Sequence, residues 1–284
     1  MSILGKLSSQ VGDRTEAANK RMVTRALKQP ALLDEIAIGL SSADAKLAGD
    51  CAEVMTLVAA ERPELVAPHA EALIARLDHK DTRVRWEAMH GVAEIAALVP
   101  DRIAPLVPRL AEIIARDKSV IVRDYAILTL GEYGRTSAAA ARAAWPHLRE
   151  ALTAWQSKHA GKVLEAMTKL VAVDAALKAE AQDFARRFAD HTGAKVRTLA
   201  KRLLKSDVIR IAFALILWNG SAFALFAGVI APLSMTAWLR WTEEPELIER
   251  FGDGYRAYRP RVPAFFNSNP RTRLTLWRFL VTGG

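Results

Sequence analysis

The feature that most constrains this chain is a recurrence. A hydrophobic residue beside a basic one opens an apolar, helically periodic run at Lys46-Leu47, Val84-Arg85, Val122-Arg123, Lys162-Val163 and Val196-Arg197, at spacings of 37, 38, 41 and 33 residues. An apolar helical pattern and a short polar turn precede each of these points. A pair of amphipathic helices of this length cannot bury its apolar face alone, so successive pairs must stack on one another. The expected fold is therefore all-α, an α-solenoid over residues 31–205. Ala88, Ala126 and Ala200 each lie four positions after the landmark valine, where a small side chain lets neighbouring helices approach. Leu and Ile at i, i+3, i+4 spacings fill the layer between repeats. Asp78, Asp81 and Asp117 fall in the turns, where a carboxylate can cap the next helix. Pro100, Pro105 and Pro108 fall at a junction between repeats, as suits a residue that breaks a helix interior.

The pairing of Val84-Arg85-Trp86-Glu87-Ala88-Met89 with Val122-Arg123-Asp124-Tyr125-Ala126-Ile127 resembles the second helices of HEAT-repeat proteins, over about residues 31–205. That resemblance implies an extended surface for a protein partner rather than a catalytic centre. Arg85 and Arg123, on consecutive second helices, are the expected partner contacts. Residues 1–30 precede the array as a basic N-terminal helix (Lys20, Arg21, Arg25, Lys28) ending before Pro30. The histidines at 69, 79, 90, 147, 159 and 191 show no metal-ligand spacing on one helix and read as surface or inter-repeat residues. Trp86, Arg123, Asp124 and Tyr125 leave a nucleic-acid partner open, because some HEAT-like proteins are DNA glycosylases with aromatic and acidic residues on the array. Packing is the competing reading of those aromatics.

A different texture follows the array. Ile211 to Leu239 is 29 residues without Asp, Glu, Lys, Arg or His, more than the roughly 20 needed to cross a bilayer. Asn219-Gly220-Ser221 interrupts the run with a turn signal. Lys201, Arg202, Lys205 and Arg210 lie before it; Arg240, Arg250, Arg256, Arg259 and Arg261 lie after it. Basic flanks stay on the cytoplasmic side, so residues 206–240 are expected to form a transmembrane helical hairpin with array and tail both cytoplasmic. The net charge of +9 divides into +6 before residue 206 (31 basic, 25 acidic) and +3 after it (9 basic, 6 acidic). That balance suits anionic lipid headgroups and nucleic acid about equally. A lone cysteine, Cys51, excludes an internal disulfide framework. The first ten residues lack the apolar core of a signal peptide.

The tail, residues 241–284, is expected to carry an amphipathic helix. Leu247, Ile248, Phe251, Tyr255 and Tyr258 fall at helical spacings and form one apolar-aromatic stripe. Glu243 and Glu244 stand at the mouth of the span, where burial demands a cation or a donor. From the residues alone, helix-dipole stabilisation is the favoured account of them. An apolar span followed by Glu243-Glu244, Leu247, Phe251-Gly252, Tyr255, Tyr258 and Val262-Pro263 resembles the C-terminus of the isoprenylcysteine carboxyl methyltransferase family, relatives of the phospholipid methyltransferases. The match covers about residues 213–263. It implies S-adenosylmethionine as cofactor, with Glu243, Glu244, Tyr255 and Tyr258 as cofactor-binding residues, no catalytic residue and no metal. The family's Arg-His-Pro-x-Tyr motif has no counterpart here, since no histidine occurs between Thr192 and Gly284. The resemblance therefore implies a membrane-anchored scaffold carrying a partial methyltransferase segment. The alternatives are an active methyltransferase completed by a partner chain and a nucleic-acid-binding array.

Overall fold

The structure, a computed structural model, describes residues 2–204. The chain divides into two units, Met1–Ser206 and Asp207–Gly284. The expected hairpin and tail belong to the second unit and lie outside the described residues. Among the described residues every regular element is helical, and none of these helices is long and apolar enough to cross a membrane.

The helices are α1 (Ala17–Lys28), α2 (Leu32–Gly39), α3 (Ala45–Glu61), α4 (Pro63–Val66), α5 (Ala70–Ile74) and α6 (Thr82–Ile95). They continue with α7 (Pro100–Ile103), α8 (Val107–Arg116), α9 (Val120–Gly134), α10 (Ala138–Thr153), α11 (Ala160–Val173) and α12 (Lys178–Arg187). A last helical segment covers residues 194–204. Successive second helices pack in series, α3 on α6, α6 on α9 and α9 on α11, while α5, α8 and α10 back them as first helices. The expected repeat solenoid is the fold observed.

Local chemistry explains the boundaries. Asp44 accepts from the Lys46 N–H at 2.9 Å and opens α3. Asp81 accepts from the N–H groups of Arg83 (2.8 Å) and Val84 (3.2 Å) and opens α6. Ser119 and Ser137 do the same for α9 and α10. Asp117 acts one step back, accepting from the Ser119 N–H at 2.7 Å and so bracing the capping residue. Asp78 departs from expectation: no helix starts close enough after it, and its carboxylate pairs instead with Arg109 of the following repeat. Pro63 and Pro100 are first residues of α4 and α7, while Pro68 and Pro105 sit in the 3-10 turns Ala67–His69 and Ala104–Leu106. These places lie in or beside a first turn, where the missing N–H has no intrahelical acceptor to lose. Those turns split two of the first helices into α4 with α5 and α7 with α8.

One apolar core runs the length of the array, from Ile3 to Leu203. Leu33, Leu73, Leu110 and Leu130 are fully buried, each stabilising the fold by about 1.5–3 kcal/mol. Ala88, Ala126 and Ala200 have no exposed surface, as their spacing predicts. The α9–α11 approach is closer still: a Cβ placed on Gly131 would lie 2.8 Å from the Ala166 Cβ. At the N-terminal end, Ile3, Leu7, Met22 and Val23 cover the first repeat, and α1 turns Lys20, Arg21, Arg25 and Lys28 to solvent. The N-terminal segment thereby caps the array, which a stack of repeats needs at an exposed end.

Neighbouring repeats are joined by ion pairs at their rims. Arg102 meets Glu71 at 2.6 Å, Arg142 meets Asp174 at 2.6 Å and Arg149 meets Glu180 at 3.4 Å. The exposed pairs, Arg102–Glu71 and Arg149–Glu180, contribute at most about 1 kcal/mol each and serve register more than stability, whereas Asp174 of the third is buried. Between α10 and α11 the backbone of Trp155, Gln156 and Ser157 is left-handed, with φ of 53°, 56° and 61°. The Trp155 indole N–H donates to the Ile114 carbonyl at 2.9 Å, and the Arg123 guanidinium lies 3.8 Å from the ring centroid. Those contacts offset a backbone cost of about 1–2 kcal/mol per residue.

Candidate functional site

The second helices present a continuous face built from α3, α6, α9 and α11. At its N-terminal end, Asp50 and Glu53 of α3 are both buried and share the Arg83 guanidinium of α6, at 3.0 and 2.7 Å. Asp50 also accepts from the Ser9 N–H at 2.6 Å, and Glu53 from the Asn19 amide at 3.0 Å. Burial works to raise both acids. In Asp50 the hydrogen bonds from Ser9 and Asn19 and the Arg83 charge outweigh it, so its carboxyl is held below the usual range. In Glu53 burial wins and the carboxyl is raised.

One turn along α6, Glu87 repeats the placement of a buried acid without the compensation. Its residue surface is 9 % exposed. Its backbone carbonyl accepts from the Thr56 hydroxyl at 2.8 Å, but its carboxylate makes no hydrogen bond or ion pair with another described residue. Burial, followed by the negative charge of Glu53, pushes the Glu87 carboxyl up to about 7, against a weaker pull from His90 and Arg83. Beside it the His90 ring stacks on Tyr125 of α9, with centroids 4.0 Å apart and planes within 13°. His90 Nε2 lies 3.3 Å from a Glu94 oxygen. Burial raises the Tyr125 phenol, and the charges of Glu87, Glu94 and Asp124 raise it further. Trp86 is half-buried and packs against the core. Farther along, Glu132 of α9 accepts from Lys169 of α11 at 2.6 Å.

The two arginines expected to face a partner do not. Arg85 reaches into the junction with the next repeat, where its Nε lies 3.2 Å from Asp117 and its Nη1 donates to the His79 carbonyl at 2.8 Å. Arg123 is 2 % exposed. It donates to the Asp117 carbonyl and, at 2.9 Å, to His159 Nε2. A guanidinium only donates, so His159 carries its proton on Nδ1 and gives it to Asp124 at 2.7 Å. Helical side chains lean toward the N-terminal side of their own helix, and here that lean carries both arginines onto the turn preceding their helix. Of the sequence-predicted cluster, Tyr125 and Trp86 reach the face, Asp124 borders it, and Arg123 is an internal staple. His159 is an inter-repeat residue, buried to 2 % exposure.

Among the described residues no group of three or more His, Cys, Asp and Glu could hold a metal ion. Cys51 is fully buried, and burial pushes its thiol up to about 12, which leaves it unreactive. Glu243, Glu244, Tyr255 and Tyr258 lie outside the described residues.

No protein-family model matches the chain, and no curated protein matches it. Solved structures share the fold. An engineered protein is 20 % identical with a TM-score of 0.57, covering 71 % of this chain and 96 % of its own. A designed armadillo repeat protein in complex with the peptide (KR)4 is 15 % identical with a TM-score of 0.58, covering 72 % of this chain and 97 % of its own. A second designed armadillo repeat protein is 16 % identical with a TM-score of 0.56, covering 72 % and 97 %. At these identities the likeness establishes a HEAT/armadillo-like helical solenoid.

Proposed function

We propose that this chain is a protein-binding scaffold that receives its partner on the face formed by α3, α6, α9 and α11. The observation that carries this reading is Glu87, a buried residue whose carboxylate has no partner among the described residues and lies beside an aromatic stack, on an array whose other buried acids are paired. A surface that met only water would gain by losing such a group. The solenoid fold supports the reading, since stacked repeats offer extended surfaces, and one designed armadillo relative is complexed with a peptide. The face carries Glu53, Glu87, Glu94, Asp124 and Glu132 against the paired cations Arg83 and Lys169, an acidic balance that favours a protein over nucleic acid.

The remaining parts of the reading rest on the sequence. Residues 206–240 anchor the array as a membrane hairpin in contact with lipid, and both the array and the tail, residues 241–284, face the cytoplasm. The tail is a partial methyltransferase-like segment in which Glu243, Glu244, Tyr255 and Tyr258 form one side of an S-adenosylmethionine pocket. Without the His-Pro half of the motif, catalysis requires a second chain to complete that pocket.

Photo-crosslinking of the full chain tests the scaffold reading. A photo-reactive residue at Leu128 on α9 is expected to capture a discrete partner, whereas one at the exposed Glu112 on α8 is not. Capture from Glu112 with none from Leu128 would overturn the assignment of the face.

A further inference from the structure

Glu87 invites a more specific question, namely which chemical group completes its surroundings. Three observations bear on it. Glu87 is 9 % exposed as a residue, and its carboxylate oxygens, which keep contact with solvent, have no partner among the described residues. The arginine one turn back, Arg83, is already committed to Asp50 and Glu53. The adjoining surface is a flat stack of two rings, His90 on Tyr125 at 4.0 Å, bordered by the further carboxylates of Glu94 and Asp124. An unpaired acid on a largely buried residue wants a cation, and the half-buried aromatic stack beside it suits a planar one. A guanidinium meets both demands, since it forks onto a carboxylate and stacks on an aromatic plane. A lysine ammonium meets only the first.

We propose that Glu87 and the Tyr125–His90 stack form a seat for an arginine side chain of an extended basic peptide laid across α6 and α9. This rests on the reading of the second-helix face as the partner surface and names the partner's chemistry. The local excess of acid argues for such an occupant on a chain whose net charge is +9. Elsewhere along α3, α6, α9 and α11 the buried acids already have partners, so one principal arginine position is expected rather than a uniform acidic track.

The probe is a fluorescein-labelled octapeptide of alternating Lys and Arg, measured by fluorescence anisotropy on the full chain at about pH 8 and about 50 mM salt, where electrostatic contacts are lightly screened. An all-Lys octapeptide of equal charge is the reference. The alternating peptide is expected to bind, and Glu87→Gln to weaken it about tenfold, equivalent to about 1.4 kcal/mol. Glu112→Gln, an exposed acid on α8, is expected to leave binding unchanged. Tyr125→Leu should erase the preference for the Arg-containing peptide over the all-Lys one. Equal losses in Glu87→Gln and Glu112→Gln would reveal diffuse attraction and overturn the seat, as would equal affinity for the two peptides. Unchanged far-ultraviolet dichroism of each variant establishes that it is folded. If a partner still crosslinks at Leu128 while Glu87→Gln has no effect on either peptide, the arginine seat fails and the scaffold reading stands. If the peptide binds through Glu87 but the partner is captured from Glu112 and not from Leu128, the seat stands and the assignment of the natural partner to this face fails.

Discussion

Replacing Glu87 by Gln should stabilise the protein, by an amount set by pH. The carboxyl sits at its ordinary value of 4.5 in the unfolded chain and is pushed up to about 7 in the fold by burial and by Glu53. A folded value above the unfolded one means that folding takes up a proton between those limits. The group's contribution is therefore fully present below about pH 4.5, falls as pH rises, and is gone above about pH 7. At about 1.4 kcal/mol for each pH unit, the wild type loses about 3 kcal/mol across that window from this one residue. Gln is nearly isosteric and cannot ionise, so the variant escapes the loss. Asp50, Glu132 and Asp174, whose carboxyls are held low, titrate in both proteins and largely cancel in the difference. Urea unfolding followed by far-ultraviolet dichroism should show the two proteins about equal at pH ~4.5 and the variant ahead by about 2–3 kcal/mol at pH ~8. A difference that does not grow with pH would mean that Glu87 is hydrated or paired in solution, and would remove the physical basis of the seat.

Gly131→Ala should cost about 1–3 kcal/mol, because the added methyl overpacks the α9–α11 contact. Gly161→Ala, in α11 and with its methyl 3.6 Å from its nearest neighbour Val196, should instead raise stability by about 0.5 kcal/mol, because Ala is the better helix former. Arg123→Leu should destabilise by about 3 kcal/mol through the polar groups it strands, and any loss of partner binding should track the loss of folded protein. On the membrane reading, cysteines placed at Gln10 and Ser268 should both resist an impermeant reagent in intact cells, with buried Cys51 silent in the background; labelling of either would overturn the hairpin. Calorimetry in nanodiscs should find at most weak S-adenosylmethionine binding, abolished by Glu244→Gln, and no transfer of labelled methyl by the chain alone. Robust turnover would overturn the partial-pocket reading.

The architecture was legible because its signals are local or periodic. The landmark spacing located α3, α6, α9 and α11, and the alanines four residues on marked fully buried contacts, though not the closest approach, which Gly131 makes. Asp81 could be read as a cap from its place before an apolar run. Asp78 could not, since its true partner lies on the next repeat. The roles of the charged residues were hidden for the same reason. Arg85, Glu87 and Arg123 all belong to second helices, and only the position of the neighbouring turn decides that the arginines are enclosed and the glutamate is left unpaired. Asp117, which anchors both arginines, gives no sign of that work in sequence. Nor does Trp155-Gln156-Ser157, where residues that ordinarily avoid positive φ adopt it because a tryptophan is clamped from two sides.

The rim ion pairs carry an implication for how such an array changes length. Their two halves lie a near-constant distance apart along the chain: 31 residues for Arg102–Glu71, Arg109–Asp78 and Arg149–Glu180, and 32 for Arg85–Asp117 and Arg142–Asp174. The direction of the clasps reverses along the array: Arg102 and Arg109 reach back to Glu71 and Asp78, whereas Arg85, Arg142 and Arg149 reach forward to Asp117, Asp174 and Glu180. Units are therefore not interchangeable. A duplicated unit carrying Arg102 and Arg109 would meet its own copy with arginine against arginine, and a few residues inserted within a unit would misalign the pairs. The clasps thus act as an address as well as a register, fixing which unit can follow which.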